Sequence, residues 1–197
     1  MGGCFSRRRS RGTEGSQFER DFVSAHNTYR KKHGAPPLQL SRELCRSAQQ
    51  WADHLLSIRT LKHSGSDHGE NLYYKYSSST RELPGSEVVD TWYNEIKDYN
   101  FSKPGFQSNT GHFTQVVWKD SREVGIAKAI DGKGMVIAVA QYSPAGNITN
   151  PGYFQKNVLP KGTPVTESTG GTSDRGTGAT FYPSGRGGDS GTSPTGN

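Results

Sequence analysis

At 197 residues, with 30% hydrophobic side chains and 25 glycines, the chain is long enough for one domain with a core but is diluted by sequence that cannot pack. Its formal charge of +6 divides into +3 over the first 17 residues, +3 over 18–160 and zero over 161–197, so the domain is only mildly basic and nucleic acid is not an expected partner. Two cysteines, Cys4 and Cys45, exclude a disulfide framework, and the longest apolar run, MVIAVA at 135–140, falls far short of the roughly 20 residues of a membrane-spanning helix.

The opening MGGCFSRRRSR lacks the apolar core of a secretory signal, so export is not expected. Gly2 and Ser6 satisfy the pattern for N-myristoylation, and Cys4 lies where a second acyl chain is commonly added. A single myristoyl chain binds membranes only marginally, so a stable anchor needs a second signal. Cys4 offers one, and Arg7, Arg8, Arg9 and Arg11 offer another, each worth about 1 kcal/mol near an anionic leaflet. Anionic membrane lipids are therefore expected partners.

The spacing of Phe18, Phe22, Ala25 and Tyr29 predicts a helix from Phe18 to Lys32, stopped by Gly34 and the Pro36-Pro37 pair. A second apolar stripe, Leu44, Ala48, Trp51, Ala52 and Leu55, follows Ser41 as N-cap. Ser86 is placed to cap a third helix with Val88, Val89, Trp92 and Ile96 inward. After Gly111, FTQVVW, EVGIAKA and GMVIAVAQY read as three strands, the last two joined by a hairpin across Asp131-Gly132. Helices followed by strands predict an α+β domain with an antiparallel meander. From Lys161 onward the chain is rich in Gly, Ser and Thr, with too little apolar surface to offset backbone ordering, and a disordered tail is expected over 161–197.

Histidine and glutamate gather in three segments: His63, His68 and Glu70 in LKHSGSDHGEN, Glu95 in WYNEIK, and His112 in TGHF. Sequential metal motifs such as HExxH or paired CxxC are not among them, and histidines in loops usually only bond the backbone. Glu95 is the exception, because it falls three residues after Trp92 and seven after Val88, on or beside the inward face. A carboxylate there needs partners, and imidazoles from other segments are suitable ones.

The segments HNTYRKKHGAPPL (26–38), GENL (69–72), GHFTQVVWKDS (111–121) and QYSPAGNITNPGYFQKNVLP (141–160) resemble the CAP superfamily of cysteine-rich secretory, antigen 5 and pathogenesis-related proteins. The resemblance spans residues 16–160, between the acylated basic segment 1–15 and the tail. It implies an α-β-α sandwich with a central antiparallel sheet, whose cleft is formed around two histidines and two glutamates. These fall on His63, Glu70, Glu95 and His112, and the resemblance implies that the two imidazoles could hold zinc while a glutamate orients a histidine or accepts a proton. His68 competes with His63 for its role. Where secreted members usually carry a cysteine, this chain has Ala140, which resembles the cytosolic branch, held by N-terminal acylation at the cytosolic face of Golgi membranes. The implied function is a non-catalytic, membrane-anchored module that binds lipid or protein, with room for a homodimer that nothing in the periodicity demands. The alternative is a zinc-dependent hydrolase in which His63 and His112 bind metal and Glu70 or Glu95 activates water.

Overall fold

The computed structural model describes residues 16–76 and 82–165. The expected acylation and membrane-contact residues Gly2, Cys4, Arg7, Arg8, Arg9 and Arg11, and the tail from 166 to 197, lie outside the described residues.

Helix α1 (Gln17–Lys32) starts in a capping box: the Ser16 hydroxyl accepts from the Glu19 amide, and the Glu19 carboxylate accepts from the Ser16 amide at 2.6 Å. Its fully buried line is Phe18, Phe22, His26 and Arg30. The expected Ala25 and Tyr29 are only partly covered, so the buried stripe is rotated by about one residue. The buried polar groups on it are satisfied. His26 Nδ1 donates to the Phe22 carbonyl and its Nε2 accepts from the Tyr142 hydroxyl. Arg30 donates to the carbonyls of Pro36, Val116, Trp118 and Ser121, tying the end of α1 to distant backbone. Gly34, at φ +65, ends the helix where a side chain would strike the Pro164 carbonyl. Gly162 donates its amide to the Lys32 carbonyl, so residues 161–165 lie against this same end of α1.

Helix α2 (Arg42–Ile58) is capped by Ser41, as expected, and ends on Arg59 in the left-handed region. Its inward face of Leu44, Ala48, Ala52 and Leu55 has two alanines at its middle, which lets the helix lie close to the sheet. Helix α3 (Gly85–Tyr93) is entered from Pro84, and Ser86 lies inside its first turn without capping it, contrary to expectation. Proline, with no amide hydrogen and a preset φ, serves at a helix entry without a side-chain bond. A 3-10 turn, Asn94–Asp98, continues from α3 and carries Glu95.

The sheet has four strands in the order β1-β3-β4-β2: β1 (Gln39–Leu40), β2 (Gly69–Tyr76), β3 (Glu123–Ile130) and β4 (Met135–Ser143). The β3–β4 hairpin closes as expected, with the Asp131 carboxylate accepting from the Lys133 and Met135 amides and Gly132 at φ +71. The meander differs from expectation in both partners. FTQVVW is not a strand: Gly111–Val117 forms helix α4, with all seven residues buried. Its Val-Val run satisfies a helix packed on every side as well as it would a strand. The third antiparallel strand is β2, on the far side of β4, while β1 adds a short parallel edge to β3.

Helices α1, α3 and α4 cover one face of the sheet through a core that includes Phe22, Trp92, Phe113, Val124, Ala138 and Tyr142. Helix α2 covers the other against Leu72, Ala127, Ile137 and Val139. A last helix, α5 (Tyr153–Asn157), packs Phe154 on Trp118. The result is the α-β-α sandwich.

Candidate functional site

Two histidine–glutamate pairs form at the Gly69 end of β2. In the first, Glu70 stands on β2 opposite Gln141 of β4. Its Oε1 lies 2.9 Å from His63 Nδ1 and accepts from the Ser64 amide at 2.9 Å, while its Oε2 accepts from Gln141 Nε2 at 3.2 Å. Burial alone pushes the Glu70 carboxyl up, but the donors from His63, Ser64 and Gln141 outweigh it and hold the group below its ordinary value. It is His63 that makes this contact; His68 is half-buried on the same loop.

In the second pair, Glu95 reaches from the 3-10 turn to the N-terminus of α4. Its Oε1 lies 2.6 Å from His112 Nδ1, and its Oε2 accepts from the amides of His112 and Phe113, each at 3.0 Å. One carboxylate thus orients the imidazole and satisfies two amides that a helix start leaves without intrahelical partners. The His112 ring stacks parallel to Trp92, with centroids 6.0 Å apart and planes 8° apart.

The two pairs are linked through β2. Asn71, next to Glu70, donates to the His112 carbonyl at 3.1 Å, and the Trp92 indole donates to the Leu72 carbonyl. Helix α4 is further held by Asn147, which donates to the Gly111 carbonyl and accepts from the Thr114 hydroxyl, and by Gln115, which accepts from the Gly146 amide and donates to Ser121. Gly69 and Gly146 must lack side chains here, since a Cβ on either would come within 3 Å of the Gln115 amide group.

In both pairs the carboxylate faces Nδ1. An ionised carboxylate only accepts, so Nδ1 carries the proton and a neutral ring presents its Nε2 lone pair. That is the arrangement in which histidines bind metals, with a carboxylate behind the ring. Each glutamate already accepts three hydrogen bonds from the protein, and among the described residues no three His, Cys, Asp or Glu side chains converge to hold a metal. With the carboxylates turned to Nδ1, the Nε2 atoms of His63 and His112 are the ring positions left to meet a ligand.

The residues that sequence reasoning did not single out are Ser64, Asn71, Gln141 and Asn147, while Trp92 was expected on the inward face of α3 but not against His112. Only Gln141, in a strand-like run, has a local signal; the others are identified by contacts between distant segments. A separate shallow groove of about 300 Å³ between α1 and α3 is lined by Asp21, Ala25, Tyr29 and Asp90. There the Tyr29 hydroxyl donates to Asp90, and no histidine or glutamate of the two pairs takes part.

The sequence profile of the CAP family, described as the cysteine-rich secretory protein family, matches residues 23–142. The chain is 49% identical to the human Golgi-associated plant pathogenesis-related protein 1, over 73% of this chain and 94% of that protein. It is 36% identical to pathogenesis-related protein 1 of Arabidopsis thaliana, over 67% and 80% of the two chains. Among solved structures, BmVAL-1 superposes with a TM-score of 0.60 at 26% identity, over 76% of this chain and 84% of that one. Na-ASP-1 shares the fold with a TM-score of 0.57 at 20% identity, over 85% and 48%. Profile, relatives and three-layer architecture agree: this chain belongs to the CAP family.

Proposed function

We propose that this protein is a lipid-anchored CAP module of the cytosolic face of Golgi membranes that binds lipids or a protein partner and does not turn over a substrate. The observation that carries the reading is the likeness over nearly the whole length of a relative named for its Golgi association, joined to the acylation pattern at Gly2, Cys4 and the arginines. Among the described residues no helix is long and apolar enough to cross a membrane; this reading assigns attachment to acyl chains and basic residues. In cells fed labelled myristate, the wild type carries label and pellets with Golgi membranes. Gly2→Ala loses both, and Cys4→Ser keeps the label but releases more readily. A wild type that stays soluble and unlabelled refutes the anchor.

The two His–Glu pairs serve in this reading as a binding centre. His63 and His112 would hold Zn²⁺ through Nε2, with Glu70 and Glu95 keeping the Nδ1 protons in place, and a bound Zn²⁺ would supply Lewis acidity. Calorimetric titration with ZnCl₂ checks this: binding lost in His63→Ala and in His112→Ala supports the two-imidazole site, and binding unchanged in both refutes it.

A zinc-dependent hydrolase is the second reading, favoured by the presence of two imidazoles and two carboxylates at one strand end. It asks Glu70 or Glu95 to take a proton from water. Every oxygen of both carboxylates already accepts a hydrogen bond from the protein, which suits a fixed orienting role better than a base. Turnover of ester or peptide panels that requires Zn²⁺ and disappears in His112→Ala would establish the hydrolase over the binding module.

A further inference from the structure

We propose that the β3–β4 hairpin end of the molecule is the face that lies on the membrane, an inference that rests on the anchored reading above. Five large hydrophobic side chains are exposed among the described residues: Ile58 at 39%, Tyr74 at 39%, Tyr76 at 63%, Ile130 at 53% and Val165 at 44%. Four of them share one end. Tyr76 pairs with Met135, on the α2 side of the sheet, and Ile130 with Val136, on the opposite side, so the two bracket this end from both faces, and Tyr74 is one pleat back from Tyr76. Ile58 ends α2 beside Arg59, which reaches the hairpin residue Asp131 at 3.7 Å. Tyrosine rings suit the headgroup layer, and an exposed isoleucine gains by entering the acyl boundary.

Charge and connectivity favour the same end. Among the described residues Arg59, Lys75 and Lys128 lie there in ion pairs with Asp131, Glu87 and Glu82, and Lys133 stands in the turn itself, so basic side chains that an anionic leaflet attracts are present at this end. Helix α1 also begins on this side: the Lys128 ammonium sits 4.5 Å over the Phe18 ring, while Arg30, at the other end of α1, bonds carbonyls just before β3 starts. The acylated arm therefore joins the domain near the hairpin. Arg11 is five residues before Ser16 and so within about 18 Å of it. Anchor, arginines, exposed apolar side chains and lysines can engage one bilayer together.

This orientation has a consequence for the binding centre. The His–Glu pairs sit at the Gly69 end of β2, seven residues from Tyr76, which at the rise of a strand is about 23 Å away. The centre faces the cytosol and is presented to partners that arrive from solution.

The test uses the N-myristoylated full chain and co-sedimentation with phosphatidylcholine vesicles containing phosphatidylserine. The variants are the double Tyr76→Ser/Ile130→Ser, which removes apolar surface without changing charge, Ile130→Glu, and Lys103→Glu. Lys103 follows Phe101, which stacks on His33 at the opposite end of α1. Thermal unfolding confirms that each variant is folded. The expected result is binding weakened about tenfold or more in the double variant and in Ile130→Glu, with Lys103→Glu within about twofold of wild type. If wild type binds and the hairpin variants bind equally well, the orientation is overturned and the anchor stands. If wild type does not bind at all, the anchored reading itself falls.

Discussion

Replacing Glu95 with alanine removes three hydrogen bonds at once, those to His112 Nδ1 and to the amides of His112 and Phe113. Hydrogen bonds to a charged group contribute roughly 1.5–3 kcal/mol each, and a buried donor left unpaired carries its own desolvation cost. The Glu95 side chain is 23% exposed, so water can replace part of what is lost. The expected net destabilisation is about 3 kcal/mol, or a fall in Tm of about 6–12 °C for a chain of this size. Glu95→Gln keeps an acceptor for the two amides but turns an amide group toward the Nδ1 proton, and should lose about half as much. Urea unfolding followed by tryptophan fluorescence measures both, because Trp92 stacks on His112 and reports the site directly. A loss under about 1 kcal/mol in Glu95→Ala would mean that the carboxylate neither caps α4 nor holds the imidazole, and the orienting role assigned to it would be wrong.

The acid side of the stability profile should show two stages. Burial lowers His26 from its ordinary value of 6.5 to about 3, and His33 is lowered too, chiefly by burial. Their unfolded forms bind protons first, so unfolding free energy should fall as pH drops below about 6.5, by up to about 1.4 kcal/mol per pH unit for each group; a flat profile between pH 7 and 5 refutes their neutral burial. Glu70 lies below its ordinary 4.5 in the folded state, so its contribution is complete above that value and is lost as pH falls through the lower folded value; Glu70→Gln should flatten this second stage, read in the same titration. Tyr142→Phe removes the hydroxyl that donates to His26 at 2.8 Å and should cost about 1–2 kcal/mol in urea unfolding, with no loss meaning that the bond carries no net stability. Gly125→Ala would place a Cβ 2.2 Å from the backbone of Leu44, so α2 must shift and about 3 kcal/mol should be lost; a neutral result would show that α2 is free to move away from the sheet.

The helices α1 and α2 were legible because their apolar residues recur at helical spacing and their caps, Ser16 with Glu19 and Ser41, act through the nearest turn. The β3–β4 hairpin was legible for a similar reason, since Asp131 and Gly132 build the turn from their own backbone and side chain. Helix α4 was misread as a strand. Its termini are completed from elsewhere, by Glu95 at the start and Arg30 at the Val116 and Trp118 carbonyls near the end, so its own residues carry only hydrophobicity and β-branching. The inward stripe of α1 slipped for a related reason: His26 and Arg30 can be buried only because Tyr142, the nearby Pro36 carbonyl and three distant carbonyls receive them.

For the site, the sequence by itself determined which residue types were available: four residues, His63, Glu70, Glu95 and His112, recognisable from their motifs, and an N-terminus whose acylation pattern needs only adjacent residues. The tertiary structure decided how they combine. It paired His63 with Glu70 and His112 with Glu95 across 7 and 17 residues, assigned the glutamates to the rings, and set the whole centre at the end of β2 far from the exposed hairpin. Local spacing encodes elements whose bonds close within a turn, whereas a carboxylate chooses its partner only when packing has brought the donors within about 3 Å of it.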